Sequence, residues 1–557
     1  MLSRFLPRVE FDSYEDFITN YQLNIPENFN FGYDIVDEWA RIEPEKQALV
    51  WCNDELAVKR FTFTDVKRMS DKAASLFASL GLKKGDRVML ILKQRPEVWF
   101  SMVGLFKLGA VCIPASFQLT PKDIVYRCNM ADVKMVLSVN EPEILKHIQG
   151  SMADCPTVRH WGLLGGETPE GFFDYGAALD AASEEWARPT GDAATTNSDP
   201  MLTYFTSGTS GMPKMVLHDY THPLGHIVTA KYWQQVENNG IHLTQSDSGW
   251  AKFGWGKIFG QWICGSAIGA YDTEKFSPSG MLAMLRVIRP TTFCAPPTIY
   301  RFMIKENLTR EDFASVKHAC IAGEPLNPEV FYRFRDLTGL ELRDGFGQTE
   351  GSVMLANFKW LEIKPGSAGR PAPLYHLDIV DRNGKSCEEG IVGSIVARDV
   401  DKHHPTGLFR CYYKDEAATA KSFVNGMYFT GDMAWRDEDG YFWFTGRDDD
   451  VIKCSGYRIG PFEVESALME HPSVLECAVT AAPDPVRGQV VKATIVLARG
   501  YSPSEELKKE LQNHVKKVTA PYKYPRIVEF VEELPKTTSG KIRRVEIRQR
   551  DQEGTSN

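Results

Sequence analysis

The sequence predicts an α/β protein with a large, multi-layer N-terminal domain and a small α+β C-terminal domain. The chain has 557 residues, which is more than a single hydrophobic core usually supports, so we expect several modules. Between about residues 35 and 445, short apolar runs alternate with amphipathic stretches, a pattern typical of layered α/β structure. After Asp448 the pattern changes into a compact segment of ordinary domain size. We therefore divide the chain into domains at residues 1–447 and 448–557.

Within the large domain, the residue pattern predicts both helices and buried strands. Residues 88–92 form a continuous apolar run after Arg87, as in a strand that is covered on both faces. Residues 281–288 carry apolar side chains at helical spacing. Two more apolar runs, at 201–205 and 215–217, are predicted to be strands that flank a segment rich in glycine and hydroxyl groups.

The C-terminal segment has the pattern of an independent α+β module. Its predicted elements are a helix at 461–469, strands at 475–480 and 490–497, a charged helix at 504–517 and a last strand at 526–531. The entry to this module, residues 446–450, is polar and begins with glycine. Such a segment suits a hinge or a simple surface turn, and the residues alone leave both open.

Composition excludes several classes of protein. Lysine and arginine number 64 and aspartate and glutamate 73, so the net charge of −9 argues against a nucleic-acid binder. Eleven scattered cysteines without a Cys-x-x-Cys pair suggest reduced thiols. The N-terminus lacks the apolar stretch of a signal peptide, and no apolar run is long enough to span a membrane. We therefore expect a cytoplasmic protein without stable membrane insertion.

The most informative segment lies between the two flanking strands and is predicted to wrap polyphosphate. Glycine lets the backbone approach an anion closely, and hydroxyls, main-chain N–H groups and an ammonium stabilise its charge. The spacing differs from that of the common P-loop, so an alternative is a flexible turn. The residues are Thr206, Ser207, Gly208, Thr209, Ser210, Gly211, Met212, Pro213 and Lys214.

Four other segments carry polar groups in patterns that suit a binding site. Residues 323–325 form a glycine–proline turn, and residues 344–350 combine two carboxylates, two glycines and an aromatic ring. Residues 428–432 read as a short strand that ends on a lone acid, and residues 534–541 place a lysine on a second hydroxyl-rich loop. Each segment taken alone has a plain structural explanation as a turn, a solvated acid or a surface lysine.

Together, in this order and spacing, the five segments resemble those of the adenylate-forming superfamily, which includes acyl-CoA synthetases, peptide-synthetase adenylation domains and luciferases. Within this superfamily the chain is most similar to the medium-chain acyl-CoA synthetases. The closer similarity rests on residues 205–215, 346–350, 455–461 and 519–526.

The resemblance implies an ATP site. Residues 206–214 would hold the β- and γ-phosphates, and the adenine would stack between residues 323–325 and Phe346. Asp344 would accept a hydrogen bond from the adenine amino group, and Asp432 and Arg447 would contact the ribose. The implied nucleotide-binding residues outside the phosphate loop are Gly323, Glu324, Pro325, Asp344, Gly345, Phe346, Gly347, Gln348, Thr349, Asp432, Arg447 and Arg458.

The resemblance also implies a two-step ligation. A carboxylic acid attacks the α-phosphorus of ATP to give an acyl-adenylate and pyrophosphate, and the thiol of coenzyme A then displaces AMP. Lys541 would bridge the carboxylate and the α-phosphate, and Thr349 would lie at that phosphate. Glu350 would bind Mg²⁺, which prefers carboxylate oxygen.

The second step is implied to need a mobile C-terminal domain. This domain would rotate about a hinge at Asp449 and bring a different face to the site. The residues implied to serve coenzyme A are Gln118, Ser455, Gly456, Tyr457, Arg487 and Lys516, of which the two cations suit its phosphates.

Two residues are predicted to set the acyl specificity. Acetyl-specific members of the superfamily carry a tryptophan at the position of Gly347, so glycine there should leave room for more than two carbons. Trp255, flanked by two glycines, is our candidate for the floor of the pocket. Lys252 lies nearby in sequence, and we expect it to be a solvated surface lysine rather than a partner of the carboxylate.

Three histidines at spacing i, i+4 and i+8 raise the question of a metal site. His218, His222 and His226 would stack on a continuous helix. Pro223 disfavours that helix, and no carboxylate or cysteine completes a ligand set. We therefore expect these histidines to pack locally or to line the acyl pocket.

The resulting hypothesis is an acyl-CoA synthetase of fatty acid metabolism that acts on a medium-chain or branched acid, with a homodimer as a further expectation. An aryl-acid CoA ligase is a close alternative because the sequence does not show the pocket shape. An adenylation protein that charges a separate carrier is another, although Arg487 and Lys516 favour free coenzyme A. A non-catalytic nucleotide-binding relative is disfavoured because every implied ATP and catalytic position is filled.

Overall fold

The computed structural model describes residues 1–206, 212–306, 308–454, 457–484, 487–536 and 542–554, with the side chains of residues 457, 458 and 552–554 left out. Its strands, in chain order, are β1 Gln47–Asn53, β2 Val58–Thr62, β3 Arg87–Ile91, β4 Val111–Pro114, β5 Val133–Val139, β6 His160–Leu164, β7 Phe173–Asp174, β8 Pro200–Phe205, β9 Met215–Asp219, β10 Ile241–Thr244, β11 Ala267–Asp272, β12 Thr292–Ala295, β13 His318–Ala322, β14 Leu342–Gly347, β15 Val353–Ala356, β16 Arg370–Pro371, β17 Leu377–Val380, β18 Gly393–Ala397, β19 Cys411–Tyr412, β20 Phe423–Val424, β21 Met427–Arg436, β22 Phe442–Arg447, β23 Ile452–Cys454, β24 Tyr457–Ile459, β25 Val474–Asp484, β26 Gly488–Leu497 and β27 Ile527–Val531.

The α-helices are α1 Tyr14–Asn20, α2 Glu38–Ile42, α3 Phe63–Ser79, α4 Glu97–Leu108, α5 Pro121–Ala131, α6 Pro142–Gln149, α7 Tyr175–Ala181, α8 His222–Ile227, α9 Ala251–Gly256, α10 Phe259–Ile263, α11 Pro278–Ile288, α12 Pro297–Lys305, α13 Pro328–Thr338, α14 Glu416–Ser422, α15 Pro461–Met469, α16 Glu505–Val518 and α17 Arg544–Gly554. Short π- or 3₁₀-helical segments are Leu2–Arg4, Gly32–Asp37, Met152–Asp154, Gly191–Ala193, Val228–Trp233, Arg310–Phe313 and Pro521–Lys523.

Two large mixed sheets form the body of the protein. One has nine strands in the order β16-β15-β14-β13-β12-β10-β11-β1-β2, and the other has eight in the order β19-β9-β8-β4-β3-β5-β6-β7. The inner strands of both are parallel, and antiparallel strands lie at both edges of the nine-stranded sheet and at one edge of the eight-stranded sheet. This confirms the prediction of layered α/β structure, because parallel inner strands need helices on both faces.

Helix α4 belongs to a hydrophobic core that includes residues of both sheets. Eleven of its twelve residues are buried, so it is covered on all sides, as expected for a helix inside a core. Its side chains share one hydrophobic cluster with Leu49 of β1 in the first sheet and with Val88 of β3 and Leu202 of β8 in the second. The large region is therefore held together by a common core.

Two smaller sheets follow along the chain. Strands β17, β18, β21 and β20 form one of them, with β22 paired to β21. The other consists of β24, β23, β26 and β25, with β27 paired to β26, and α15 and α16 pack on it through a core of its own. The helix predicted at 461–469 coincides with α15, and the other predicted C-terminal elements differ from the structure only at their ends.

Two local predictions are corrected by the structure. The strand predicted to end at Asp432 continues as β21 to Arg436, because its second half pairs with β22. The polar segment 446–450 is not a turn throughout, since β22 runs to Arg447 and the turn covers residues 448–450.

No helix in the described part of the chain is long and apolar enough to cross a membrane. All eleven cysteines have free thiols.

A buried lysine joins α4 to two neighbouring elements. The Nζ atom of Lys107 lies 2.6 Å from the Oδ1 atoms of both Asp37 and Asp71, and the lysine side chain is completely buried. Asp71 also pairs with Lys67, whose side chain is 42% exposed. Burial raises the pKa of Asp37 to about 6, while Lys107 acts in the opposite direction. The ion pairs with Lys107 therefore stabilise the fold, because they offset the desolvation penalty of the two carboxylates.

We expect Lys107→Ala to lower the free energy of unfolding by about 3–5 kcal/mol, because it removes the buried cation from the partly buried Asp37 and leaves the buried Asp71 with only the more exposed Lys67. Lys67→Ala removes a more exposed partner of the same Asp71 and should cost less than about 1 kcal/mol. Urea unfolding followed by tryptophan fluorescence measures both variants. Equal small losses would show that the buried cation does not hold this part of the core.

Candidate active site

The predicted phosphate loop connects two antiparallel strands, as expected. Phe205 of β8 pairs with Met215 of β9, and the backbone N–H of Thr206 donates to the carbonyl of Lys214 over 3.0 Å. The carbonyl of Pro213 accepts from the Tyr126 hydroxyl of α5 at 2.9 Å. Met212 is exposed, and residues 207–211 lie outside the described residues. Thr206 and Lys214 therefore face each other at the base of the loop.

The two segments implied to bind adenine lie at one edge of the nine-stranded sheet. Strands β13 and β14 are parallel, with Ala322 opposite Gly345. The residues that follow, Gly323 and Phe346, are therefore neighbours. Gly323 has a φ of +103°, a left-handed conformation that favours glycine. Next to it, Glu324 accepts a hydrogen bond from the Thr298 hydroxyl at 2.8 Å, ahead of Pro325.

Lys252 contacts this loop, so the expectation of a solvated surface lysine was wrong. Its Nζ atom donates to the carbonyl of Ala322 over 2.7 Å, and the residue is half-buried. The ammonium lies beside Gly323, 3.9 Å from the position that a Cβ atom would take there. The sequence could not show this contact because α9 and β13 are about 70 residues apart.

Gln348 organises a polar network at the end of β14. Its Nε2 atom donates to the carbonyl of Thr430 at 2.8 Å and to the carboxylate of Asp432, and its Oε1 atom accepts from the Tyr428 hydroxyl at 2.9 Å. Asp432 also faces Arg447 across the β21–β22 ladder, at 3.4 Å from Nη1. Asp432 is therefore not a lone acid. The network holds a buried carboxylate and a guanidinium in fixed positions at the end of β14. That end lies beside residues 323–325, the segment implied to bind adenine, which we call the adenine loop.

The next two residues, Thr349 and Glu350, are held by contacts with His218, Phe409 and Tyr412. The carbonyl of Thr349 lies 2.8 Å from the Nε2 atom of His218. The Glu350 carbonyl accepts from the backbone N–H of Phe409 at 2.7 Å, and its Oε1 atom accepts from the Tyr412 hydroxyl at 2.8 Å. No other donor to the Glu350 carboxylate occurs in the described parts of the chain. Its Oε2 atom is thus available to a cation or to water.

The predicted acyl pocket is shaped by two tryptophans against two glycines of β14. A Cβ atom at Gly347 would lie 2.1 Å from Cη2 of Trp255, and one at Gly345 would lie 2.4 Å from the ring of Trp233. Trp255 is fixed by a hydrogen bond from Nε1 to the carbonyl of Gly351 at 3.1 Å. The sequence suggested that the space beside Gly347 is open. In the structure, the Trp255 ring fills it.

The three histidines lie behind this pocket and do not share one helix. His218 belongs to β9, and α8 begins at His222. The ring centres of His218 and His222 are 3.8 Å apart, and the Nε2 atoms of His222 and His226 lie 3.2 Å from each other. Burial lowers the pKa of all three imidazoles. No group of three or more possible metal ligands occurs among the described residues.

Three of the residues predicted to serve coenzyme A are exposed and belong to different elements of the fold. Gln118 is exposed in the loop between β4 and α5. Arg487 is exposed at the β25–β26 turn, and Lys516 is exposed near the end of α16, with Nζ 4.1 Å from the centre of the Tyr524 ring. No hydrogen bond or ion pair links these three within the described ranges.

Asp449, the predicted hinge residue, lies in the turn that follows β22. The Asp449 carboxylate lies 3.6 Å from Nε of Arg447. Ser455, Gly456 and Lys541 lie outside the described residues, as do the side chains of Tyr457 and Arg458.

Sequence reasoning missed the groups that hold the predicted residues in place. Tyr412, Tyr428 and Thr298 each donate to a predicted site residue from a distant segment. Tyr412 and Thr298 lie outside the predicted motifs, and the motif at residues 428–432 does not show the contact of the Tyr428 hydroxyl, so only the assembled fold identifies these three roles.

Comparisons with known proteins place the chain in a family. Residues 36–413 match the model of the AMP-binding enzyme family, and residues 463–541 match that of the AMP-binding enzyme C-terminal domain. The acyl-coenzyme A synthetase ACSM3, mitochondrial, of Mus musculus is 40% identical over 97% of this chain and 94% of its own length. The acyl-coenzyme A synthetase ACSM4, mitochondrial, of Homo sapiens is 41% identical over 95% of this chain and 92% of its own.

Solved structures show the same fold. The anthranilate CoA ligase AuaEII, solved with anthranoyl-AMP, superposes with a TM-score of 0.87 at 26% identity and covers 96% of this chain and 99% of that one. The acyl-CoA synthetase of Brucella canis has a TM-score of 0.73 at 30% identity over 98% of this chain and 100% of its own. The chain therefore belongs to the AMP-binding enzyme family and, within it, to the acyl-coenzyme A synthetases.

Proposed function

We propose that this enzyme converts a carboxylic acid, ATP and coenzyme A into the acyl-CoA thioester, AMP and pyrophosphate through an acyl-adenylate. The observation that carries the proposal is that three predicted groups lie together at the C-terminal end of β14. The Gln348–Asp432–Arg447 network, the Glu350 carboxylate and the adenine loop all meet there. Family membership supports the same reaction class.

In this proposal, the nucleotide lies across the carboxyl ends of β13 and β14. The adenine would stack between residues 323–325 and Phe346, and the ribose hydroxyls would donate to Asp432. Arg447 and Gln348 hold that carboxylate before the nucleotide arrives, so little reorganisation is needed when it binds. Thr206 and Lys214 would face the β- and γ-phosphates together with the rest of the phosphate loop.

Asp344 is the proposed partner of the adenine amino group. Burial raises the pKa of its carboxyl to about 8, against weaker stabilisation of the charge by backbone N–H groups of Gly345 and Leu326. The carboxyl is therefore largely neutral at pH 7. A neutral carboxyl retains a carbonyl oxygen that accepts a hydrogen bond, so the proposed contact does not depend on a buried charge.

Glu350 is the proposed Mg²⁺ ligand. The structure fits this role, because its carboxylate is half-buried and only Oε1 has a donor in the described part of the chain. Mg²⁺ prefers oxygen ligands and would neutralise charge on the phosphates. Lys541 is proposed to approach the α-phosphate and the substrate carboxylate, where one positive charge about 4 Å away contributes roughly 4 kcal/mol at an effective dielectric near 20. Thr349 is proposed to lie beside the same phosphate.

We also propose that residues 448–557 form a domain that turns about Asp449 between the two steps. The separate sheet and core of this region support that proposal. After the turn, Ser455, Gly456 and Tyr457 would line the path of the thiol, while Gln118, Arg487 and Lys516 would hold the nucleotide of coenzyme A. Arg458 would contact ATP before the turn.

The acyl group is proposed to lie between β14 and α9, with the Trp255 ring as the floor. Because that ring occupies the space beside Gly347, the pocket would favour medium-length or branched chains over long ones. An aromatic acid is the second candidate, because the anthranilate CoA ligase has a closely similar fold.

We also propose a cellular location and an assembly state. The eleven free cysteines and the composition favour the cytoplasm. The related synthetases of Mus musculus and Homo sapiens are named as mitochondrial proteins, and fractionation of cells that express the enzyme would decide between the two locations. Light scattering would test the expected homodimer.

The reaction itself is tested by pyrophosphate release with Mg-ATP and straight, branched or aromatic acids, with and without coenzyme A. We expect the greatest turnover with medium or branched acids, together with AMP and acyl-CoA. Lys541→Ala serves as the control and should lose adenylation yet retain thioester formation from a supplied acyl-adenylate. Activity with aromatic acids alone would make the enzyme an aryl ligase, and adenylation without thioester would indicate a carrier partner.

The pocket floor is tested by Trp255→Leu. Removing the ring should open the space beside Gly347 and move the preferred acid to longer chains by roughly two to four carbons, measured as kcat/KM across a homologous series. Gly347→Ala alone should lower kcat/KM at least tenfold, roughly 1.4 kcal/mol, because its methyl group would overlap the Trp255 ring. The same alanine should be better tolerated when it is combined with Trp255→Leu. An unchanged chain-length profile for Trp255→Leu would contradict the assignment.

Asp344→Asn tests the buried carboxyl through the pH dependence of stability. The folded pKa of about 8 exceeds the ordinary value of 3.8, so the unfolded state releases its proton first and wild-type stability falls between about pH 4 and pH 8. The variant lacks this loss. Its free energy of unfolding should rise relative to wild type from pH 5 to pH 8, by at most about 1.4 kcal/mol per pH unit, and then level off. Its melting temperature, measured across the same pH range, should rise in parallel.

The exposed Asp336→Asn, whose carboxylate is 72% exposed, is the matched control and should leave the profile unchanged. Parallel profiles for Asp344→Asn and wild type would mean that the Asp344 carboxyl titrates as it does in the unfolded chain.

A further inference from the structure

Tyr412 lies where three segments of the site meet. It belongs to the short strand β19, whose only described sheet neighbour is β9, with Tyr412 opposite Val216. That register places it beside the strand that leaves the phosphate loop. The residue is 6% exposed, and its backbone N–H donates to the Thr419 hydroxyl at 3.0 Å. Its position is therefore fixed by sheet pairing and by α14.

The hydroxyl of Tyr412 contacts the carboxylate of Glu350. It donates to Oε1 over 2.8 Å, and it is the sole donor to this carboxylate within the described ranges. Burial and the neighbouring Glu350 charge raise the pKa of the phenol, so the group remains a neutral donor. The bond fixes one carboxylate oxygen and directs the other away from Tyr412.

The ring of Tyr412 contacts the phosphate loop. Nζ of Lys214 lies 4.7 Å from the centre of the ring, within the range of a cation–π interaction. The lysine therefore has a defined position at the base of the loop. One side chain thus contacts both the carboxylate proposed for the metal and the cation proposed for the terminal phosphates.

We propose that Tyr412 is a positioning residue for the adenylation step, which orients Glu350 through its hydroxyl and Lys214 through its ring. The proposal rests on the roles suggested above for these two residues. A carboxylate with one oxygen fixed by a neutral donor presents the other at lower entropic cost, and outer groups of this kind commonly change metal affinity by about 10–100-fold.

The test measures metal binding directly instead of turnover. Mn²⁺ is titrated into the full-length enzyme with α,β-methylene-ATP, which cannot release pyrophosphate, and free Mn²⁺ is followed by electron paramagnetic resonance. Tyr412→Phe removes only the hydroxyl and should weaken Mn²⁺ binding about tenfold, while the affinity for the nucleotide without metal stays unchanged. Tyr412→Leu also removes the ring and should weaken nucleotide binding as well.

Two variants complete the experiment. Tyr413→Phe is the matched control, because its ring packs on Arg87, with the guanidinium carbon 4.4 Å from the ring centre, and has no contact with Glu350 in the described structure. It should bind Mn²⁺ as wild type does. Glu350→Gln should weaken Mn²⁺ binding at least as much as Tyr412→Phe. Thermal melting establishes that each variant is folded.

The outcomes separate this proposal from the proposed function. Weak Mn²⁺ binding in Glu350→Gln but not in Tyr412→Phe would overturn the positioning role alone. Unchanged binding in Glu350→Gln would overturn it together with the metal role of Glu350. Pyrophosphate release by the wild-type enzyme is measured separately, so a failure of the positioning role is not mistaken for a failure of the reaction.

Discussion

The parallel pairing of β13 with β14 is the constraint on which the rest of the site depends. Its register sets Ala322 opposite Gly345, so the residues that follow each strand emerge at the same edge of the sheet. The adenine loop and the polar end of β14 are neighbours for this reason alone. Ligands of open α/β sheets bind at the carboxyl ends of parallel strands because the loops there converge without blocking the strand hydrogen bonds.

Around this edge, buried polar groups are paired before any ligand arrives. Gln348 uses both ends of its amide, Asp432 faces Arg447, and Glu350 is held by Tyr412. Such pairing is costly to leave incomplete in a low-dielectric environment. The same pairing fixes the groups proposed to contact the nucleotide, so stability and the proposed preorganisation have one physical source.

Much of the fold could be predicted because its signals are local. Proline and glycine mark the start of α15, and the apolar runs of β3, β8 and β26 define strands without reference to their neighbours. Predictions failed where a distant segment decides the outcome. The strand through Asp432 continues because β22 pairs with it. Lys252 is half-buried because it donates to the carbonyl of Ala322. The space beside Gly347 is filled by the Trp255 ring of α9.

The sequence by itself determined the order of the motifs, the residue types proposed to bind phosphate and metal, and the change of pattern that predicts a C-terminal domain after residue 447. These features are encoded within stretches of about ten residues, in which spacing and chemistry can be read directly. Only the tertiary structure decided which groups hold the site residues in place, namely Tyr412, Tyr428 and Thr298. Their roles depend on contacts between segments that are far apart in the chain. A sequence alone does not show which of its distant segments lie close together in space.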